Sequence, residues 1–327
     1  DRLTDTLNGF LIAGADVNQP NGAGQTPLMR AVFASASRER LITALLDKGA
    51  DPDLTNRSGN TAMHLLAVRK RDDQAPRLLS MLAARGASLE IRNGKGQTPL
   101  IAAVERGSPA AVNALIEAGA DVNARRARGG PLIGALLSCD PEKLAKLELL
   151  LDAGADPAAR REHGPLPLAQ ALFGKAYLDC LDPARMILAS GVDPNLRDRN
   201  GAAAVHSLAV WHDRDPEAAL ELLVRSGADI DLENQQGMTA LLLAARYGTS
   251  LRTIQRFLAH GADPNARDGD GNTLLHAAAM NAKPGHAERY RWLLEHGGDP
   301  QAVNDAGQTP LERARATRNG PIVLESR

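Results

Sequence analysis

The feature that most limits what this chain can fold into is a pair of glycines ten residues apart, which recurs nine times along 327 residues. The first glycine opens a Gly-Ala-Asp-like tripeptide, at Gly14, Gly49, Gly86, Gly119, Gly154, Gly191, Gly227, Gly261 and Gly297. The second follows at Gly24, Gly59, Gly96, Gly129, Gly164, Gly201, Gly237, Gly271 and Gly307. Successive tripeptides lie 33 to 37 residues apart, so all variation in length falls between the second glycine and the next tripeptide. A fixed linker therefore joins elements that can lengthen. Self-similarity at this period signifies stacked supersecondary units, not one thick core.

The most regular unit shows what each element should be. Thr98 is placed to cap a helix, and Pro99 fits the first helical position, where a missing N–H is harmless. A short Ala/Leu-rich helix follows. Ser108-Pro109 repeats this arrangement, and Val112, Leu115 and Ile116 form one apolar stripe on a second helix. Gly119 ends that helix in the left-handed conformation that other residues resist. The two positions four and three residues before each tripeptide glycine are apolar in every copy, from Phe10-Leu11 to Leu293-Leu294, and predict the core of each outer helix.

Composition fits thin layers. The chain has only nine aromatic rings, four Phe, two Trp and three Tyr, although one buried ring removes about 150–250 Å² from water. Alanine pairs in the inner helices allow close stacking instead. With 38 basic against 39 acidic residues, no global field advertises nucleic acid or an anionic membrane. Apolar runs such as Ala240–Ala245 fall far short of the roughly 20 residues that span a bilayer. Cys139 and Cys180 are too few for a disulfide framework or a cysteine zinc site, and they assign no redox compartment.

At these residues the sequence resembles the ankyrin repeat family, whose hallmarks are a Thr-Pro-Leu-His tetrapeptide opening the inner helix and Gly-Ala-Asp closing the outer one. The matches are Thr26-Pro27-Leu28-Met29, Thr61-Ala62-Met63-His64, Thr98-Pro99-Leu100-Ile101, Thr239-Ala240-Leu241-Leu242, Thr273-Leu274-Leu275-His276 and Thr309-Pro310-Leu311-Glu312. The resemblance implies an all-α solenoid of helix-turn-helix units joined by hairpin-like fingers, forming one domain over 1–327. Its parts would be a half-repeat at 1–23, eight complete repeats over 24–306 and a capping repeat at 307–327. Three successive units depart from the pattern, with Gly130, Leu166 and Ala203 in place of threonine. The ragged start leads us to expect upstream repeats or domains in a longer protein.

No cofactor, metal site or catalysis is expected. The resemblance gives His64, His206 and His276 a scaffold role, bonding to neighbouring loops. His260 and His296 sit in the last turns of outer helices, where the helix dipole favours positive charge. Asp263–Gly271 superficially suggests a calcium loop, but Arg267 occupies a ligand position and no glutamate stands at the twelfth. Gly94-Lys95-Gly96 lacks the spacing of a phosphate loop, and no nucleophile elbow is present.

The expected activity is protein–protein recognition on the concave face that the family's inner helices and fingers form. The finger tips Arg125-Arg126-Ala127-Arg128, Arg160-Arg161-Glu162-His163 and Arg197-Asp198-Arg199-Asn200 carry seven arginines against two acids. Later tips are acidic, with Glu233, Asp268, Asp270 and Asp305 against Arg267. At the ends of inner helices stand Phe33, Phe173, Val210-Trp211, Arg246-Tyr247 and Met280-Asn281. Trp, Tyr and Arg are the side chains most enriched in binding hot spots. Candidate contact residues are therefore Arg125, Arg126, Arg128, Arg160, Arg161, Phe173, Arg197, Arg199, Trp211, Arg246, Tyr247 and Met280. The expected partner is a protein, one with an acidic surface fitting the arginines. Two alternatives are a regulatory or targeting segment of a larger protein, membrane-tethered or enzymatic, and phosphate-bearing ligands on the fingers. Nucleic acid is disfavoured, and the chain itself carries no membrane-inserting run.

Overall fold

In the computed structural model, residues 16–34, 38–162, 164–173, 180–210, 215–248, 250–281 and 285–316 are described. The parts of the expected half-repeat before Asp16 and of the expected capping repeat after Ala316 lie outside them, as does Trp211. The chain forms two compact units, 1–162 and 163–327. No strand occurs among the described residues, and neither cysteine is a free thiol.

In the first unit, inner helices α1 (Pro27–Ala31), α3 (Ala62–Ala67) and α5 (Pro99–Arg106) alternate with outer helices α2 (Arg38–Asp47), α4 (Ala75–Ala84), α6 (Pro109–Glu117) and α7 (Pro141–Asp152). In the second, inner helices α8 (Pro167–Phe173), α10 (Ala204–Leu208), α12 (Ala240–Tyr247), α14 (Leu274–Ala279) and α16 (Pro310–Ala316) alternate with α9 (Asp182–Ala189), α11 (Glu217–Arg225), α13 (Leu251–Ala259) and α15 (His286–Glu295). The caps read from the sequence form. Thr98 Oγ1 accepts from Ile101 N–H at 3.3 Å, and Ser108 Oγ accepts from Ala111 N–H at 3.2 Å. Gly119 adopts φ +95°. Gly59 has a second constraint, because a Cβ there would meet the Gly94 nitrogen of the next finger at 2.6 Å.

One inner helix is missing. After Gly129 the chain makes only a 3-10 turn, Ile133–Ala135, instead of the expected helix. Gly130 replaces the capping threonine, Gly134 weakens the segment further, and one residue is lost. Leu132, Ile133 and Leu136 are still buried, so the layer is filled without helical backbone. Only half of the outer-helix prediction holds. Leu45, Leu82, Leu115, Leu150, Ile187, Leu223, Phe257 and Leu293 are buried, whereas each following residue is half-buried. Adjacent helical residues point about 100° apart, so one row faces the stack and the other its edge.

Within each unit, successive repeats are laced by a recurring bond. In six repeats the residue four after the tripeptide glycine accepts a backbone N–H from the next loop: Asp51 to Asn18, Ser88 to Asp53, Asp121 to Glu90, Asp156 to Asn123, Asp229 to Asn195 and Asp263 to Asp231, at 2.8–3.0 Å. Asn195 also donates to Gly227 O at 2.9 Å. Within the fingers, Asn21, Asn56, Asn93, Asp198, Asn234, Asp268 and Asn304 close the turn by accepting from the N–H groups two and four residues on. Examples are Lys95 at 2.9 Å and Gln97 at 3.1 Å onto Asn93. Asp268 does this in the apparent calcium loop, which is a turn.

The three scaffold histidines are buried and, as expected, bond neighbouring loops. Nδ1 accepts the backbone N–H of Thr61, Ala203 or Thr273, and Nε2–H donates to Gln97 O at 2.8 Å, Met238 O at 3.3 Å or Gln308 O at 2.9 Å. Both ring nitrogens are thus used by the neutral imidazole. Burial pushes all three below the ordinary 6.5, and the carbonyl bonds offset part of that shift. The unfolded chain therefore takes up protons at a higher pH than the folded chain does, and stability is complete above 6.5 and lost as pH falls toward the lowered folded values. Urea midpoints should fall between pH 7.5 and pH 5, and a His64→Gln, His206→Gln, His276→Gln variant should flatten that slope. Asn195→Ala, which removes two inter-loop bonds, should lose about 1–2 kcal/mol in urea unfolding at pH 7.5.

Candidate recognition surfaces

In the second unit the structure brings three predicted residues together. Inner helix α12 ends at Arg246-Tyr247, stopped by Gly248. Tyr247 is 43% exposed, and the Arg246 guanidinium lies over its ring, 5.3 Å from the centroid. Arg246 Nη1 also approaches Met280 Sδ at 3.6 Å. Met280 itself is only 6% exposed, which corrects its reading as contact surface. It follows the last residue of α14 and lies beneath the arginine, supporting it. Asn281 is likewise buried, and its amide donates to Ala245 O at 2.8 Å and Gly248 O at 2.9 Å, tying down the end of α12. The tyrosine therefore stands on a fixed helix end. Phe173 closes α8, but its side chain lies outside what is described, as does that of Arg128.

The first unit has a parallel arrangement that the sequence reading only half anticipated. Phe33 is 47% exposed, and the Arg69 guanidinium lies 5.2 Å from its ring centroid. Arg69 Nε donates to Asp72 Oδ2 at 2.6 Å, and Arg38 pairs with the same carboxylate. Burial pushes Asp72 upward, but bonds from Arg38 and Arg69 more than reverse this and hold it at about 2. Arg69 and Asp72 were missed because their meeting depends on the turn between α3 and α4. The signal available was Arg69 standing eight residues after the Thr61 cap, the position equivalent to Tyr247.

The finger arginines separate into two kinds. Arg125 Nη1 donates to Gly129 O at 3.0 Å and Arg160 O at 2.9 Å. Arg92 and Arg267 do the same in their fingers, on Gly96 and Arg125 carbonyls and on Gly271 and Val303 carbonyls. Arg125 is thus a rivet between fingers, although it remains exposed. Arg126 is half-buried, with Nε donating to Pro131 O at 3.0 Å and Nη1 3.9 Å from Glu105. Burial lowers its pKa, with Glu105 opposing and Arg161 adding to the shift. Arg161 is exposed, as are Arg197 and Arg199 in the second unit.

Other polar side chains are engaged structurally. His260 Nε2 meets Glu217 at 3.2 Å, and His296 Nδ1 bonds Trp292 O at 2.8 Å while its ring stacks on Trp292 at 3.9 Å. Among the described residues no three His, Cys, Asp or Glu side chains group as metal ligands, and no helix is long and apolar enough to cross a membrane.

Stacked helix-turn-helix units, fingers laced by side-chain-to-backbone bonds and exposed inner-helix ends define a solenoid repeat protein of the class that presents extended binding surfaces. The profile described as ankyrin repeats (3 copies) matches residues 32–126, 172–268, 206–304 and 243–324, and the chain belongs to the ankyrin repeat family. It is 28% identical over 240 residues to the B-cell lymphoma 3 protein homolog of Mus musculus, covering 73% of this chain and 44% of that protein. It is 36% identical over 129 residues to an intracellular phospholipase A2 of Caenorhabditis elegans, covering 38% and 12%. These matches span less than half the length of either relative. The crystal structure of the ankyrin repeat domain of Bcl-3 superposes with a TM-score of 0.57 at 29% identity, covering 72% of this chain and 99% of that one.

Replacing Asp72 by Asn removes the charge that holds Arg38 and Arg69 and should destabilise the first unit by about 2 kcal/mol at neutral pH. The Asp72 contribution is present above 3.8 and lost as pH falls toward about 2, so wild type and variant should converge in acid melts.

Proposed function

We propose that this chain is a noncatalytic protein-recognition module that meets its partner through inner-helix ends and finger tips, with Tyr247 and Arg246 as the central contacts of the second unit. The observation that carries this reading is an exposed tyrosine on a helix end tied down by Asn281, overlaid by a guanidinium that itself rests on a buried thioether. Tyr and Arg dominate binding hot spots because they combine large apolar area with directed hydrogen bonds. A ring already held by its neighbours loses little freedom on binding, which leaves more of the contact energy as affinity. Membership of the ankyrin repeat family supports the reading, since stacked repeats present a broad surface without a deep catalytic cavity.

Trp211 stands one repeat earlier in the corresponding stretch of sequence and would extend the aromatic strip. The exposed arginines of the fingers suit an acidic partner surface, where complementary charge chiefly raises the association rate. The reading as noncatalytic rests on the sequence, in which no nucleophile elbow, phosphate loop or metal-ligand spacing is met.

Pull-down from the native source, followed by titration with the purified partner, tests this. Tyr247→Ala should weaken binding by about tenfold or more with an unchanged melting temperature. Equal affinity for Tyr247→Ala and Trp211→Ala relative to wild type would make the strip structural.

A further inference from the structure

Two successive fingers of the first unit abandon the device that closes the other described turns. Where Asn or Asp accepts two backbone N–H groups, these fingers carry Arg126 and Arg161. An arginine side chain has no acceptor, so the Arg126 turn is closed by backbone bonds, Arg126 N–H to Gly130 O at 2.8 Å and Gly129 N–H to Arg126 O at 2.9 Å. The two guanidiniums lie over the same backbone position. A Cβ on Gly130 would sit 3.2 Å from Arg126 Nη2 and 3.1 Å from Arg161 Nε. Gly130 has φ −74° and ψ 140°, which any residue adopts, so the guanidiniums and not the backbone limit what fits there.

Arg126 Nε is used on Pro131 O at 3.0 Å, and Glu162 follows Arg161 in the chain. Glu105 faces Arg126 at 3.9 Å, but its other oxygen already accepts from Gln97 at 2.6 Å. Arg160 Nη1 is fully buried without an acceptor, and such an atom calls for an explanation. Two neighbouring guanidiniums repel each other unless an anion shares them. The segment 127–171 between the family matches contains this Gly130 and Arg161, together with the 3-10 turn that replaces a helix.

The geometry points to a receptor for a phosphomonoester formed by Arg126 and Arg161, and the ligand it takes is a phosphorylated side chain on a protein partner. A carboxylate is satisfied by one planar fork, whereas a phosphate dianion offers three strong acceptor oxygens to two. Clustered arginines are a recurring mode of phosphorylated-motif recognition. The protein source of the phosphate rests on the recognition function proposed above; the receptor chemistry does not.

The test uses the whole chain and a fluorescein-labelled Gly-Ser-Ser-Gly-Ser peptide carrying phosphate on its central serine. Comparison probes are the same peptide with glutamate at that position, the unmodified peptide and a thymidine oligonucleotide, all at one ionic strength. Anisotropy should show saturable binding of the phosphopeptide, about tenfold or more tighter than the glutamate peptide. Arg161→Gln, at an exposed site, and Arg126→Gln should each abolish that preference. Gly130→Ala, which places a methyl group against both guanidiniums, should weaken it with the fold intact by circular dichroism. Equal binding of phosphate and glutamate peptides, retention of the preference in Arg161→Gln, tighter binding of the oligonucleotide, or no saturation up to about 1 mM would each overturn the receptor. Tyr247→Ala should leave phosphopeptide binding unchanged, so loss of the partner-binding reading and loss of this one are separately visible.

Discussion

In six of the described loops a backbone N–H is donated to a side chain of the loop before, and the stacking of those repeats depends on that bond. Asp51 onto Asn18, Asp156 onto Asn123 and Asp229 onto Asn195 are separated by more than thirty residues yet have nearly the same length, 2.8 Å. A helix of five to twelve residues is marginal in isolation. Holding successive loops at one spacing keeps each short helix against its neighbours, where the buried row running from Leu45 to Leu293 and the alanines of the inner helices pack. The histidines reinforce the same spacing from the inner side by bonding the next finger's carbonyl. Burial and the backbone N–H accepted at Nδ1 require the neutral ring, so part of the stacking energy becomes sensitive to acid.

A surface built this way is available for recognition because the scaffold bonds are made by backbone groups and a few fixed positions. What varies is the end of each inner helix and the tip of each finger. Phe33 with Arg69 in the first unit and Tyr247 with Arg246 in the second are the same solution in different registers, a ring exposed beside a guanidinium. Finger arginines serve two purposes that share one composition. Arg92, Arg125 and Arg267 reach back to carbonyls and fasten fingers, whereas Arg126 and Arg161 stand where a turn acceptor would otherwise be.

Much of the fold was legible in the sequence because its punctuation is local. Glycine at a left-handed turn, threonine or serine at a helix start and proline just after it constrain only their own backbone, and Gly119, Thr98 and Ser108 behave as read. The 3-10 turn after Gly129 was less legible. Its lost threonine was visible, but the outcome depended on whether Leu132, Ile133 and Leu136 could reach the core without a helix. Met280 was misplaced for a similar reason. Its position in the repeat matches exposed residues elsewhere, yet Arg246 covers it.

The sequence by itself determined the spacing of the repeat, the caps of its regular helices and the family, since these follow from residues acting on their own turn of backbone. Tertiary structure decided which side chains remain free to bind something else. Whether a guanidinium is a rivet or a receptor depends on carbonyls some 33 to 36 residues away, as with Arg125 on Arg160 and Arg267 on Val303. Only the stacked repeats bring those acceptors within reach, so a count of charges along the chain could locate the basic fingers but not divide their work.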